Sequence, residues 1–542
     1  MNVAPGRFQL GRTVLTVAVI GLLLTGPVLV GAAVTGERLA VHGVLAQDEP
    51  VGLRIAGGAP FTWDPALAGD ATSANVLAQV FEGLTAFDPE GRVQPALAAG
   101  WSVEEDGRRL VFDLRPGLTY SDGTPLEAQH VVDSWLRLLD PERPSPLVSL
   151  LADVTGATDY LAGRASRQEV GLRAQGERVV VEFRRPATYF LAVTASPSLA
   201  VVPPQSHGAL ADPSPPAGVV VSGAYVPSQQ AGTIRLDGNG RYWAGMPPIE
   251  AIEIVTDLGG RSPVSVFEAG EVDYTSVASF DASWIRYDST LGPQLRRTDD
   301  FSVHYYGFDT SAAPFDDGRV RRAFAQAVDW RRIVRLGGDA QPATSLVPPG
   351  IPARSEEDFL PEYDVEAARA LLAEAGYPGG DGFPAVALVS FGYGYEVTVA
   401  TELEDSLGIS LPVEALDFES YFGRLEGDDR PSFWTLSWIA DYPHAHDFLG
   451  LLLETGSANN YGRWSNSDFD AAVEAAAASN DEEEQARLYA DAQRIVRTEA
   501  PVVPLEYGES WALSRDGVLG ALPSGMGMMR FAGLAWAEGS GR

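Results

Sequence analysis

Short stretches in which apolar and polar residues alternate follow one another through the chain, separated by longer stretches with helical spacing. Residues 110–125 alternate as a half-buried strand does and then turn at Pro-Gly and Asp-Gly pairs. A helix is predicted at about 126–139, where apolar residues recur every three or four positions. Further strands are predicted at 232–238 and 249–255, and a strand suited to burial at 433–440.

Three later stretches have the spacing of amphipathic helices, and each is predicted to be one continuous helix: 316–330, 364–375 and 468–499. Asp364 is the expected cap at the start of the second helix, and Pro501 closes the third. No internal repeat of fixed period is present in the sequence. Because helices and strands alternate irregularly, the sequence predicts an α/β fold with mixed sheets.

The N-terminal segment indicates where the protein works. Two arginines precede an apolar run over about 13–34, which is long enough to cross a bilayer. Residues 1–50 are therefore predicted to be either a signal peptide, cleaved near Ala46, or a retained membrane anchor. Basic residues before the run favour an N-terminus inside the cell, so the remainder of the chain is predicted to be extracytoplasmic.

Composition excludes several classes of chemistry. The 542 residues carry a net charge of −34, which argues against the clustered basic residues that nucleic-acid binding needs. The chain has no cysteine, so it has no disulfide, no thiolate nucleophile and no lipidated cysteine. All 39 basic residues are arginine, which excludes Walker phosphate loops and lysine-dependent enzymes. The length predicts two or three domains.

A series of motifs runs along the chain in a fixed order. The stretch "FEGLTAFDPEGRVQPALAAGW" opens residues 81–135, and "SGAYV" at 222–226, "VFEAGEVDY" at 266–274 and "SWIADYP" at 437–443 follow. Together these motifs resemble the family 5 extracellular solute-binding proteins, the peptide and nickel receptors of ABC importers. The resemblance spans about residues 51–510. Most of the motif residues are turn formers, which identify the fold without marking a site.

The resemblance implies a two-lobed, periplasmic-binding-protein-like fold of type II with mixed sheets, an extra subdomain and a hinge between the lobes. Lobe I would be discontinuous and would comprise residues 51–84, 219–300 and 506–542. Residues 85–218 would form an accessory subdomain of lobe I, and 301–505 would form lobe II. The ligand would bind between the lobes, which would close over it by hinge motion.

Asp441 stands at the end of the predicted strand 433–440. In peptide-binding members of the family, the matching aspartate faces the α-ammonium group of the peptide, which implies that role for Asp441, with Trp438 and Tyr442 nearby. A ligand enclosed between lobes loses its water, so a fixed anion has to meet its cationic end. Spacing alone also fits a second interpretation, in which Asp441 caps the turn before Pro443.

Aromatic residues surround this aspartate in the sequence. Strand alternation places Trp434 and Trp438 on one face and Phe433 on the other. We expect Trp438 to line the cleft and Phe433 to lie in the core. The resemblance adds Phe61 and Thr62 as contacts to a peptide backbone, although the turn that follows them explains both residues almost as well.

Four other positions bear on the ligand. Arg463 is a candidate partner for a ligand carboxylate because its segment follows Asp441 within the same predicted lobe. His444 and His446 have the spacing of a metal chelate, as in nickel-binding relatives, but a pair of loop histidines is expected to be solvent-exposed, and a tight site would need carboxylates too. Leu147 stands where many members have tyrosine, which removes a hydroxyl donor.

These observations predict an extracytoplasmic substrate-binding component of an ABC importer that captures peptides, delivers them to the permease subunits, acts as a monomer and uses no cofactor. Binding of nickel, a metallophore, a sugar or an opine stays open, as does a sensor without a transport role. A hydrolase on the same fold is disfavoured, because the sequence has no recognisable catalytic triad and contains neither G-x-S-x-G nor H-E-x-x-H.

Overall fold

The computed structural model describes residues 52–539, apart from 89, 208–209, 211–217, 231, 338–339, 393 and 428. The predicted export segment, residues 1–50, lies outside the described residues. Within the described part of the chain, every helix is too short or too polar to cross a membrane.

Nineteen strands occur in the described residues. They are β1 (Leu53–Ala56), β2 (Thr85–Phe87), β3 (Val93–Pro95), β4 (Ala98–Glu104), β5 (Arg109–Leu114), β6 (Leu172–Gln175), β7 (Arg178–Glu182), β8 (Tyr225–Gln230), β9 (Thr233–Gly238), β10 (Ala251–Val255), β11 (Tyr274–Val277), β12 (Leu295–Phe308), β13 (Gln341–Pro342), β14 (Leu388–Ser390), β15 (Val413–Ala415), β16 (Phe433–Ile439), β17 (Val502–Ser514), β18 (Val518–Leu519) and β19 (Ala535–Trp536).

Fourteen α-helices lie between these strands in the same part of the chain. They are α1 (Ala71–Val80), α2 (Ala128–Leu136), α3 (Ala157–Leu161), α4 (Phe190–Val193), α5 (Pro263–Glu268), α6 (Ser279–Ile285), α7 (Gly318–Gln326), α8 (Trp330–Gly337), α9 (Val365–Glu374), α10 (Glu396–Leu407), α11 (Phe418–Glu426), α12 (Ala445–Leu453), α13 (Ser467–Ala478) and α14 (Glu482–Glu499).

One large mixed sheet organises the molecule. Its strand order is β15-β14-β16-β12-β17-β11-β1-β10-β9-β8, and β13 pairs with β17 beside this path. A separate four-stranded antiparallel sheet has the order β4-β5-β7-β6. The mixed α/β architecture predicted from the sequence is therefore confirmed.

Several apolar cores pack against these sheets. One draws its residues mainly from 53–81, 200–274 and 512–534, and a second mainly from 66–201. Two more draw theirs from the segment 301–507. Strands β12 and β17, of 14 and 13 residues, pair with each other. Both contribute residues to the last two cores, and β17 also contributes Ala512 to the first.

The pairing between β12 and β17 is irregular where the cores meet. The register shifts between Asp299 and Val303 and again between His304 and Tyr305. Such irregularities bend a strand and increase its local twist. The two connecting strands therefore bend at the level of residues 299–305.

Strand ends from both sides of this bend point toward each other. β11 ends at Val277, which pairs with Trp511 of β17, and it runs antiparallel to β17. β16 ends at Ile439, which pairs with Ser302 of β12, next to the residue that pairs with Tyr507 of β17. Because three antiparallel pairings separate β16 from β11, the two strands run in opposite directions. Measured along β17, their carboxyl ends are four residues apart, or roughly 13 Å, and β12 and β17 lie between the two strands in the sheet.

Most of the predicted elements are confirmed, with two corrections. The helix expected at 364–375 is α9, which begins after Asp364, and the strand expected at 433–440 is β16. The stretch 316–330 is not one helix, because α7 ends at Gln326 and α8 begins at Trp330. The stretch 468–499 is also two helices, since Asp481 caps α14 after a short turn.

A glycine in β12 permits the close packing of one aromatic side chain. Gly307 pairs with Trp434 of β16, and a Cβ atom at Gly307 would overlap the Trp434 indole, which is buried. Gly100 of β4 has no atom of another residue within 4 Å of where its Cβ would stand.

We predict that Gly307→Ala lowers the free energy of unfolding by about 1–3 kcal/mol, because the indole has to move in a packed core. Gly100→Ala, the matched control, should change it by less than about 0.5 kcal/mol. Chemical denaturation of both variants measures the difference. Equal stabilities would contradict the packing described for Trp434.

Candidate functional site

Asp441 lies two residues after β16, at the level where β16 and β11 face each other. The backbone N–H of Ala440 donates to the carbonyl oxygen of Phe301, so the segment stays attached to β12 up to this point. Asp441 itself is half-buried. Burial raises the pKa of its carboxyl to about 7.

A second carboxylate, Asp447, lies beside it. Asp447 is in the first turn of α12 and is completely buried. Its Oδ2 accepts hydrogen bonds from Nε1 of Trp438, at 2.8 Å, and from the backbone N of Asp441, at 3.3 Å. Burial and the charge of Asp441 raise the pKa of Asp447 well above its ordinary value. Its Oδ1 is buried and has no hydrogen-bond partner.

Basic side chains do not compensate this pair. Among the described residues, neither Asp441 nor Asp447 forms an ion pair with an arginine or a histidine. Buried carboxylates without counter-charges are unfavourable, since each loses its hydration. A cationic group from outside the chain would compensate them.

The aromatic side chains of β16 separate as the alternation predicts. Trp434 and Trp438 belong to one apolar core, and Phe433 belongs to another on the opposite face. Trp438 is only 3% exposed, and its indole N–H holds Asp447. Trp438 therefore orients the Asp447 carboxylate from within the core. Its expected position in the wall of the ligand cleft stays a prediction.

Tyr442, His444 and His446 are buried. His444 is the N-cap of α12, and its Nδ1 accepts from the backbone N of His446. The Tyr442 hydroxyl and Nδ1 of His446 are 2.9 Å apart, and both rings stack on Tyr189. The expectation that the two histidines lie exposed in a loop is wrong, because they begin a buried helix instead. Within the described residues, no group of three or more His, Cys, Asp or Glu is placed to hold a metal ion.

Tyr189 belongs to an ionic network that joins two distant segments. Its hydroxyl donates to Oδ2 of Asp153 at 2.5 Å, and Nε of Arg185 donates to the same oxygen at 2.8 Å. Arg185 also pairs with Glu454, just after α12. The segment 153–189 is thereby fixed against the carboxylate site.

The other predicted residues lie elsewhere. Phe61 is 75% exposed and follows the carboxyl end of β1, which runs parallel to β11. The Thr62 hydroxyl accepts from the backbone N of Asp64, which fixes the turn there. Arg463 is exposed and has a positive φ of 52°. The structure does not bring these three residues into contact with Asp441.

Sequence reasoning missed Asp447 and the Tyr189 network. One available signal for Asp447 was its place three residues after a capping residue, where an acid suits the first turn of a helix. No local signal connects Tyr189 with Tyr442, since they are 253 positions apart in the sequence.

A cavity of about 630 Å³ opens elsewhere, between the segments 81–88, 242–248 and 520–533. Its buried carboxylate, Glu82, accepts from the Tyr242 hydroxyl at 2.6 Å and from Arg530 at 2.8 Å. None of the predicted site residues lines it. Because its buried charge is already compensated, this cavity lacks the unpaired anion found at Asp441 and Asp447.

We predict that Arg185→Met destabilises the protein by about 3–5 kcal/mol, because half-buried Glu454 would lose its cation and buried Asp153 would keep only the more exposed Arg184. Arg164→Met is the control, since the Arg164–Asp159 pair is exposed and should contribute less than about 1 kcal/mol. Thermal and chemical unfolding measure both changes. A loss for Arg185→Met no larger than that of the control would refute the network.

Comparison with known sequences identifies relatives along nearly the whole chain. The model of the bacterial extracellular solute-binding proteins, family 5, matches residues 92–460. The probable deoxycholate-binding periplasmic protein YgiS of Escherichia coli is 31% identical, over 83% of this chain and 86% of its own length. The periplasmic oligopeptide-binding protein OppA of Salmonella typhimurium is 28% identical, over 89% of this chain and 93% of its own.

Solved structures share the fold. The murein tripeptide-binding protein MppA, in its unliganded open form, aligns with a TM-score of 0.75 and 24% identity, and covers 91% of this chain and 98% of its own. A second structure is that of OppA of Haemophilus influenzae in complex with the peptide RPPGFSPFR. It aligns with a TM-score of 0.67 and 25% identity, and the alignment covers 90% of this chain and 99% of OppA. These matches confirm the two-lobed fold. The chain belongs to the bacterial extracellular solute-binding proteins of family 5.

Proposed function

We propose that this protein is the extracytoplasmic substrate-binding component of an ABC importer and that it captures peptides by their ammonium end. The observation that carries the proposal is the pair Asp441 and Asp447, two carboxylates without a basic partner among the described residues. They stand where the carboxyl ends of β16 and β11 face each other.

The charge of the site favours a cationic ligand over an anionic one. The relatives include proteins named for oligopeptides, for deoxycholate and for haem. Deoxycholate is an anion, and the fields of Asp441 and Asp447 would repel it, as would the net charge of −34. An N-terminal ammonium group gains a charge-assisted hydrogen bond from the same carboxylates.

The proposed lobes follow the cores and connecting strands. Residues 51–84, 219–300 and 506–542 would form lobe I, 85–218 its accessory subdomain, and 301–505 lobe II. The cores of 53–81, 200–274 and 512–534 and of 301–507 support this division. Closure would bend β12 and β17 near their register shifts.

The remaining parts of the proposal concern location and partners. Residues 1–50 would export the chain or anchor it outside the cytoplasmic membrane, and the loaded protein would dock on permease subunits as a monomer. The named relatives are binding proteins, and this chain is proposed to act in the same way, without catalysis or a cofactor.

The test uses ligand-free protein, obtained by unfolding and refolding, and calorimetry with alanine peptides of three to five residues. We predict that Asp441→Asn weakens binding by about 2–5 kcal/mol, or roughly 30-fold to several thousand-fold in Kd, because it removes one member of a desolvated charge pair. N-acetylation of the peptide should cause a similar loss. When Asp441→Asn is combined with the N-acetylated peptide, the loss of binding free energy should be much smaller than the sum of the two separate losses, since both changes remove the same contact.

Asp405→Asn is the matched control, because Asp405 is an exposed aspartate on α10 and belongs to none of the contacts described for the site. It should bind like the wild type. Peptide binding that is unchanged in Asp441→Asn would refute the ammonium contact. Binding of deoxycholate in place of every peptide would refute the proposed ligand class.

A further inference from the structure

The environment of Asp447 is unusual for an ionised carboxylate. One oxygen accepts two hydrogen bonds, from Trp438 and from the backbone of Asp441, while the other is buried and accepts no hydrogen bond from the described residues. The backbone N–H of Tyr442 also favours the ionised form of this carboxyl. An ionised carboxylate offers about four acceptor positions, and buried ones are normally filled. A proton on Oδ1 of Asp447 would neutralise the carboxylate, whose negative charge has no basic partner among the described residues.

The neighbouring carboxylate of Asp441 also favours a proton on Asp447. Asp441 lies close enough for its charge to disfavour ionisation of Asp447, and its backbone contacts the Asp447 carboxylate directly. Two carboxylates that share a site of low dielectric do not both ionise at ordinary pH. The position of Asp447 in the first turn of α12 partly stabilises one negative charge but not two.

We infer that Asp441 and Asp447 together hold one proton when the site is empty and that the ammonium group of the ligand displaces it. Asp447 is then a positioning and specificity-determining residue. In the empty protein the pair carries one negative charge instead of two. The incoming cation restores full ionisation, and the proton leaves to solvent. The part concerning the ligand rests on the proposed function, whereas the shared proton does not.

Among the described titratable groups around the site, the pair Asp441 and Asp447 is the one that changes charge near neutral pH. Burial raises the pKa values of Tyr442, Tyr189 and Tyr489, so all three stay neutral. Burial lowers the pKa of His444 to about 4 and lowers that of His446 well below its ordinary value, so both imidazoles are neutral near pH 7. Arg185 stays charged, and Asp153 and Glu454 pair with it.

The direction of the pH effect follows from these shifts. An aspartate ionises near its ordinary value of 3.8 when unfolded, whereas the pKa of Asp441 in the fold is about 7. Between these values the folded protein binds more protons than the unfolded chain, so stability falls as pH rises. The loss continues as the pH rises through about 7, and it ends only well above that value, where the folded pair has released its proton.

The first experiment measures Tm by calorimetry on ligand-free protein between about pH 5 and pH 8, for the wild type, Asp447→Asn, Asp441→Asn and the control Asp405→Asn. Other groups contribute equally to each protein, so the wild-type Tm should fall by up to about 2–3 °C more than that of either pair variant, because each variant keeps only one carboxyl, whose pKa is raised by burial without a neighbouring charge. Asp405→Asn should follow the wild type. An asparagine at position 447 keeps an oxygen that accepts the hydrogen bond of Trp438. Because either pair variant could fail to fold, the experiment uses both. Parallel curves for all four proteins would overturn the shared proton.

The second experiment titrates trialanine at about pH 6 in buffers of different ionisation enthalpy. The wild type should release up to one proton per peptide, and Asp447→Asn should release less, because only the burial of Asp441 then holds a proton in the site. Binding without proton release by the wild type would overturn the displacement. If trialanine does not bind at all, the proposed function fails and the displacement with it, while the Tm series still decides whether the proton is shared.

Discussion

Two aspartates without a counter-cation among the described residues are the constraint on which the site of this molecule depends. Asp441 is half-buried just after β16, and Asp447 beside it is completely buried. Asp447 accepts hydrogen bonds from the Trp438 indole and from the backbone N–H of Asp441. A fold that needed only stability would neutralise such a pair with arginine, as it does at Asp153 and Glu454. Leaving the pair uncompensated is understandable if a ligand supplies the positive charge.

The rest of the fold holds this pair beside the large sheet. The long strands β12 and β17 lie between β16 and β11, and these two strands run toward each other from opposite directions. Tyr189 and the Arg185 network hold α12 from the opposite side, which keeps Asp447 dry and oriented. The carboxylates are therefore rigid while the connecting strands retain irregular pairing.

Sequence patterns were informative where the determinants are local. The capping residue Asp364 correctly predicted the start of a helix. The alternation through Phe433, Trp434 and Trp438 correctly predicted the two faces of β16, and the collinear motifs identified the family. Continuous helices were wrongly predicted at 316–330 and 468–499, since apolar spacing persists across the turns that capping residues create. Burial of His444 and His446 depends on Tyr189, which lies far away in the sequence, so spacing alone suggested an exposed loop. The role of Asp447 required the tertiary structure for the same reason.

The most direct test of the central claim is a crystal structure of the protein with a bound peptide. The account predicts that the peptide's ammonium nitrogen lies about 3 Å from a carboxylate oxygen of Asp441, with Asp447 directly behind it. A peptide bound elsewhere, or an Asp441 side chain that points into bulk solvent in the complex, would contradict it.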